Sequence, residues 1–360
     1  MKEARDSSLD IAKGIGILLV VIGHLHELPL LLVKFIYSFH MPFFFILSGY
    51  LYNITKYSSL SLYEYIRSKW RKLIIPYFAM ALSCYFIFII LPNLFLIISG
   101  RTESLLSFDK PLLGILYSKG SIDWLPNCSP LWFLTCIFVT QIIFFVIIKN
   151  LKGYRKIFIY CASCAVLGYL TTRFVPVKLP WNLDTALTAV FLFCLGNLSC
   201  RYKIINLIKK KAFTFIPFLI ICSSLCFYFN FGMVNMAANR YGNIILFYFG
   251  AISSTLIILF ISSIGSRFPF FRFWGENTMP VIGFSYAAKT LASDLLPHNY
   301  YDVWYLSLAV QIVVLYLIIL LIRQVDSANN LFYGFRTEIS YRPLFALRKS
   351  SPGVRNMLHQ

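Results

Sequence analysis

"RDSSLDIAKGIGILLVVIGHLHELP", running from Arg5 to Pro29, is the stretch whose reading decides the fold. Its middle is Ile, Leu, Val and Gly, close to the roughly 20 apolar residues that cross a bilayer. Yet it carries Asp10 and Lys13 at one end and His24 near the other. Ionisable groups inside a membrane span are costly and are by default candidates for function. The segment does not read as a cleavable signal peptide, because it lacks a small-residue cleavage site and runs directly into a second apolar stretch.

Similar runs recur along the whole chain, and ten are expected: 9–28, 33–52, 73–98, 131–149, 156–172, 184–200, 212–230, 242–264, 277–296 and 303–322. The fifth and ninth carry the weakest signal. The runs are continuous rather than alternating, which points to helices and not to barrel strands. Of the 360 residues, 59% are hydrophobic and 13% charged, and the mean hydropathy is +0.72. A soluble domain could not bury so much apolar surface. The expected fold is all-α: a polytopic membrane helical bundle of about ten transmembrane helices over 1–322, then a basic and aromatic tail over 323–360. No internal repeat is evident, which weighs against the repeat-built transporter folds. The longest connection, 99–130, ends in "WLPNCSPLWFL" and reads as a loop resting on the membrane surface.

The formal net charge of +19 is unevenly placed. Lys56, Arg67, Lys69, Arg71 and Lys72 fall between the second and third runs, Lys149 to Lys156 after the fourth, and Arg201 to Lys211 after the sixth. Arg267 and Arg272 precede the ninth, and Arg323, Arg336, Arg342, Arg348 and Lys349 lie in the tail. Such alternation is the positive-inside pattern and puts both termini in the cytoplasm. The basic charge is therefore read as topogenic, with no nucleic-acid partner. Of nine cysteines only Cys128 falls in an outer loop, so no outside disulfide is expected; Cys161 and Cys164 sit inside an apolar run and read as small hydrophobes. No metal site is expected. Asn127-Cys128-Ser129 is a formal glycosylation sequon without independent support.

On a helix, Lys13 and His24 return to within ~20° of one face, ~16 Å apart along the axis. Asp10 is a plausible i,i+3 partner for Lys13 but lies ~21 Å from His24, too far to orient it. Lys13 alone also fits a side chain that snorkels to the interface. In the second run "FHMPFFFILSGYLY" brings His40 down from the other side, past Pro42 to Ser48 and Gly49. A hairpin turning near Pro29 would put His24 and His40 in one layer. "RSKWRKLIIPYF" places Arg67, Arg71 and Lys72 at the entrance of the third span, a cationic mouth suited to an anionic ligand. Asp184 begins the sixth run, either in interfacial water or pointing toward the histidine layer. His298 and His359 are left unassigned.

"LDIAKGIGILLVVIGH", "FHMPFFFILSGYLY", "RKLIIPY", "LWFL" and "GENTMPVIGFSY" together resemble the acyltransferase family 3 membrane proteins. Within them the nearest likeness is to bacterial sugar and polysaccharide O-acetyltransferases of the fucose-4-O-acetylase kind. The resemblance runs from about residue 5 to residue 322. Its most specific part is a basic residue, ten intervening residues and a histidine (Lys13 and His24), followed by the His40-to-Gly49 pattern.

The resemblance implies transfer of an acetyl group from cytoplasmic acetyl-CoA to a hydroxyl of a sugar or lipid-linked glycan, in a bacterial inner membrane. By position, Lys13 and His24 match the family's functional pair, Arg71 or Lys72 the basic group before Pro76-Tyr77, and Trp132 the tryptophan of "LWFL". Where many relatives carry a histidine late in the ninth span, this chain reads "FSYAAK", with Ser285 or Tyr286 nearby. His24 is expected to act as general base, and His40 or Ser48 to donate to the oxyanion. An acetyl-histidine intermediate stays open. The rival from another class is a transporter or flippase for a lipid-linked sugar, which would be indifferent to acetyl-CoA.

Overall fold

The computed structural model describes residues 7–25, 28–265, 268–297 and 303–334. Each of the ten apolar runs is a helix: α1 (Ser7–Gly23), α2 (Leu30–Tyr50), α3 (Leu62–Ile98), then, after the short α4 (Asp109–Tyr117), α5 (Trp132–Asn150) and α6 (Tyr154–Phe174). They continue as α7 (Leu183–Arg201), α8 (Ala212–Phe229), α9 (Ile244–Ile264) and, after α10 (Pro269–Glu276), α11 (Thr278–Leu295) and α12 (Trp304–Gln324); α13 (Asp326–Tyr333) follows. Among the described residues, eight of the ten are long and apolar enough on their own to cross a membrane. The two that fall short are α1, with 17 residues, and α11, interrupted by Ser285, Lys289 and Asp294. The run read as weak at 156–172 is among the eight.

The third helix starts eleven residues before its apolar run. Ser61 and Glu64 form a reciprocal capping box, the Glu64 N–H donating to Ser61 Oγ at 3.3 Å and the Ser61 N–H to Glu64 Oε2 at 2.8 Å. Two orphan donors are satisfied at once, so helix propagates through polar sequence. Within it, π-helical turns at Trp70–Ile74 and Phe86–Ile90 sit just ahead of Pro76 and Pro92. A proline lacks an N–H and crowds the carbonyl four residues back, and a wider turn absorbs that mismatch.

Backbones touch at two crossings. A Cβ on Gly49 would lie 1.9 Å from the Phe193 carbonyl oxygen, and one on Gly196 1.9 Å from that of Ile46, locking α2 against α7. A Cβ on Gly14 would lie 1.8 Å from Phe271 O and one on Gly275 1.6 Å from Asp10 O, locking α1 against α10. The hairpin between α1 and α2 lies at the end of the bundle that carries His24, hereafter the histidine end; Lys13 marks the opposite, lysine end.

The region read as a tail is, in its first part, packed into the fold. Arg323 Nη2 donates to Asn277 Oδ1 at 2.7 Å, the Tyr333 hydroxyl donates to the same oxygen, and Tyr333 is buried. Residues 335–360 lie outside the described residues, as do Arg267 and His298. All nine cysteines are free. Asn127 is held within the fold, its Oδ1 accepting from the Thr290 hydroxyl at 2.6 Å, a poor setting for a glycan.

Candidate active site

His24 is the first residue beyond α1, and His40 sits in the middle of α2. His24 Nδ1 lies 2.6 Å from the Val20 carbonyl oxygen and His40 Nδ1 2.9 Å from that of Ile36, each one helical turn back. A carbonyl only accepts, so in each neutral ring Nδ1 carries the proton and Nε2 presents a lone pair. The rings meet edge to face with centroids 6.1 Å apart. The shared layer expected from the hairpin is present.

Two tyrosines complete the cluster. The Tyr286 ring on α11 is 5.1 Å from His24, and Tyr37, one turn before His40, is 5.5 Å from His24 and 4.8 Å from His40. These four rings border a cavity of about 310 Å³, a volume typical of small-ligand sites. Trp132 forms a wall, and the 120–122 and 235–238 segments cover it from the histidine end.

The sequence-derived candidates divide into four groups. His24, His40 and Trp132 line the cavity. Ser48 does not: it lies eight residues further along α2 than His40, ~12 Å down the axis, toward the lysine end. Ser285 is buried but turned away, its Oγ directed at the Ile282 carbonyl at 3.5 Å while its own carbonyl accepts from Gln311 Nε2 at 2.8 Å. Its neighbour Tyr286 faces the cavity instead, since consecutive helix residues point ~100° apart.

Asp184 is 2% exposed and forms a different structure from either one expected. It pairs with Lys178 Nζ at 3.2 Å and accepts from Asn239 Nδ2 at 2.6 Å, clasping the 175–182 loop to the 230–243 loop. Lys178 also donates to Asn239 Oδ1 at 2.7 Å. Burial lowers the Lys178 pKa from its ordinary range, and the Asp184 carboxylate works against that shift.

At the lysine end, Lys13 Nζ lies 3.2 Å from Asp10 Oδ1, with Asp10 buried and Lys13 partly exposed. The i,i+3 pair is as the spacing implies. Arg67, Arg71 and Lys72 are exposed around the first π-helical turn of α3. Lys69 between them is instead buried, its ammonium over the rings of Tyr57, Tyr65 and Tyr52 at 4.5, 5.3 and 5.8 Å. Among the described residues no group of three or more His, Cys, Asp or Glu is placed to hold a metal ion.

Sequence reasoning did not single out Tyr37, although it lies three residues before His40 and so on the same helix face. Lys178 and Asn239 gave no signal, since their meeting with Asp184 depends on two loops 55 residues apart in the Asp184–Asn239 contact.

A family model described as an acyltransferase domain matches residues 6–323. Two curated relatives are both nodulation protein NolL. The one from Mesorhizobium japonicum is 26% identical over 236 residues, covering 60% of this chain and 56% of its own. That from Sinorhizobium fredii is 30% identical over 187 residues, covering 48% and 45%. The chain thus spans about half the length of the curated relatives it matches. No solved structure matches.

Proposed function

This chain belongs to the acyltransferase family 3 of multi-pass membrane proteins, and on that premise we propose that it moves an acetyl group from acetyl-CoA to a hydroxyl of a sugar or glycan precursor. His24 is the general base. The observation that carries the reading is the cluster of His24, His40, Tyr37 and Tyr286 around one cavity, with Lys13 on α1 eleven residues before His24, ~16 Å along the helix axis.

The acceptor hydroxyl enters the cavity and donates to His24 Nε2. As its oxygen attacks the thioester carbonyl, the proton passes to Nε2. The tetrahedral intermediate collapses, the C–S bond breaks, and the departing thiolate takes the proton from the imidazolium. The products are an O-acetyl ester and free CoA. The imidazole tautomer set by Ile36 leaves His40 Nε2 an acceptor, so the oxyanion donor is a phenol of Tyr37 or Tyr286 and not His40. His40 accepts instead from a second hydroxyl of the sugar and orients it. Tyr286 takes over the face of α11 where relatives carry a histidine.

Lys13, Arg67, Arg71 and Lys72 serve the phosphates of coenzyme A at the lysine end, and the thin pantetheine arm spans the distance to His24. Positive-inside charge supports assigning that end to the cytoplasm of a bacterial inner membrane. The test is purified protein given radiolabelled acetyl-CoA and a panel of free and lipid-linked sugars, wild type against His24→Ala. Label in a sugar product that requires His24 is the expected result. Correctly folded wild type that neither binds nor consumes acetyl-CoA would end the reading for this donor.

A further inference from the structure

Beside the histidine cavity lies a second one, of about 410 Å³, bounded by Lys119, Lys178 and Arg240. The two share four wall residues, Gly120 and Ser121 from the loop before α5, and Ala237 and Ala238 from the loop before α9. All four residues of the shared wall are small. We propose that this vestibule binds an anionic group, a phosphate or a carboxylate, carried by the acceptor glycan, and so selects acidic acceptors for the histidine site. The proposal rests on the acyl-transfer reading for the word acceptor, but the charge-based binding it describes does not.

The electrostatics are asymmetric. Of the three cations, Lys178 is neutralised by Asp184 at 3.2 Å and serves to hold the two loops together. Lys119 and Arg240 remain. The Lys119 ammonium lies 4.5 Å from the centre of the Trp124 ring, and Lys119 is half-buried. Arg240 is exposed, its backbone fixed by a reciprocal bridge to Asn235, with hydrogen bonds of 2.7 and 2.9 Å. Among the described residues neither side chain forms an ion pair; Asp123, in the same loop as Lys119, is exposed and pairs with no cation. Two uncompensated cations in a concave, partly desolvated wall attract anions more strongly than the same charges on an open surface. The guanidinium adds a planar fork that fits a carboxylate or phosphate with two bonds. A saccharide whose acidic residue sits in the vestibule can pass a neighbouring unit over Gly120 and Ala238 into the histidine cavity.

The test uses the full chain in nanodiscs of neutral lipid, with binding read by tryptophan fluorescence in the absence of acetyl-CoA. The probes are a uronic-acid oligosaccharide, a sugar 1-phosphate and a neutral oligosaccharide of matched length. At low salt the better acidic probe is expected to bind roughly tenfold tighter than the neutral one, and its identity separates carboxylate from phosphate. The advantage is expected to vanish in Lys119→Gln/Arg240→Gln, with unfolding temperature as the control for fold, and to shrink with salt. Equal binding of all three probes to wild type would overturn the proposal, as would a preference that survives in the double variant. If, in a parallel set of nanodiscs containing anionic lipid, the substitutions alter lipid association but the binding of no probe, the cations serve headgroups and the proposal fails. Acetyl-CoA turnover is measured separately: its absence alongside an acidic preference removes the acetyl-CoA reading and leaves the vestibule, and the converse result does the reverse.

Discussion

At the histidine end, three connecting loops fold back over the helix ends and enclose two adjoining cavities. Buried polar groups there are knotted across long sequence distances, as Lys178, Asp184 and Asn239 are. At the lysine end the helices meet backbone to backbone at Gly14 and Gly275, and Arg67, Arg71 and Lys72 stand exposed around a π-helical turn. One end encloses its polar and charged groups in formed cavities, whereas the other displays its cations on an exposed surface. On the proposed reading that difference suits two substrates of unlike character: a polyhydroxyl acceptor needs a formed pocket with directed acceptors and donors, whereas a mobile, multiply charged nucleotide is held well by a field of cations.

The sharpest way to break the comparison is at its junction. His24→Ala should lower transfer by about a hundredfold to ten-thousandfold, the usual span for a general base, with helical circular dichroism unchanged. Persistent transfer would mean that the histidine end is not where chemistry occurs. Asp184→Ala probes the architecture of that end: stranding the buried Lys178 ammonium should cost about 3–5 kcal/mol of stability, read as a lower unfolding temperature in detergent. Neutralising Arg71, exposed at the lysine end, should leave the unfolding temperature where it is.

Finer contrasts follow within each end. Tyr286→Phe should lower kcat about tenfold or more by removing one oxyanion donor, while Ser285→Ala, one residue away and facing α12, should leave kcat near wild type. Equal losses in the two would deny that the cavity distinguishes them. Smallest is the effect of Lys13→Ala, a partly exposed cation already paired with Asp10: KM for acetyl-CoA should rise roughly fivefold with kcat little altered. An unchanged KM would return Lys13 to a side chain that merely snorkels.

The same contrast explains what could be read in advance. Every apolar run is a helix, because crossing hydrocarbon leaves a continuous segment few other ways to satisfy its backbone. The Lys13–Asp10 pair and the His24–His40 layer were legible because both follow from helical period within one hairpin. Tyr286 was visible only as one of two neighbours in "FSYAAK", and the rotation of α11 against α12 decided between it and Ser285. Ser48 looked close to His40 in sequence, yet eight residues of helix carry it out of the layer. The Lys178–Asp184–Asn239 clasp and the adjoining vestibule were invisible, since they arise from loops that no local period brings together. The ninth run reads weakly because Ser285, Lys289 and Asp294 interrupt it, and none of the three borders the cavity that Tyr286 reaches.

The most direct test of the central claim is sidedness. In proteoliposomes with the protein in one orientation, acetyl-CoA is supplied on the face of the lysine end and a sugar acceptor only on the opposite face. The account predicts acetylated sugar on the histidine side, with His24 required and no acetyl-CoA crossing the membrane. Transfer seen only when both substrates share one face would contradict it.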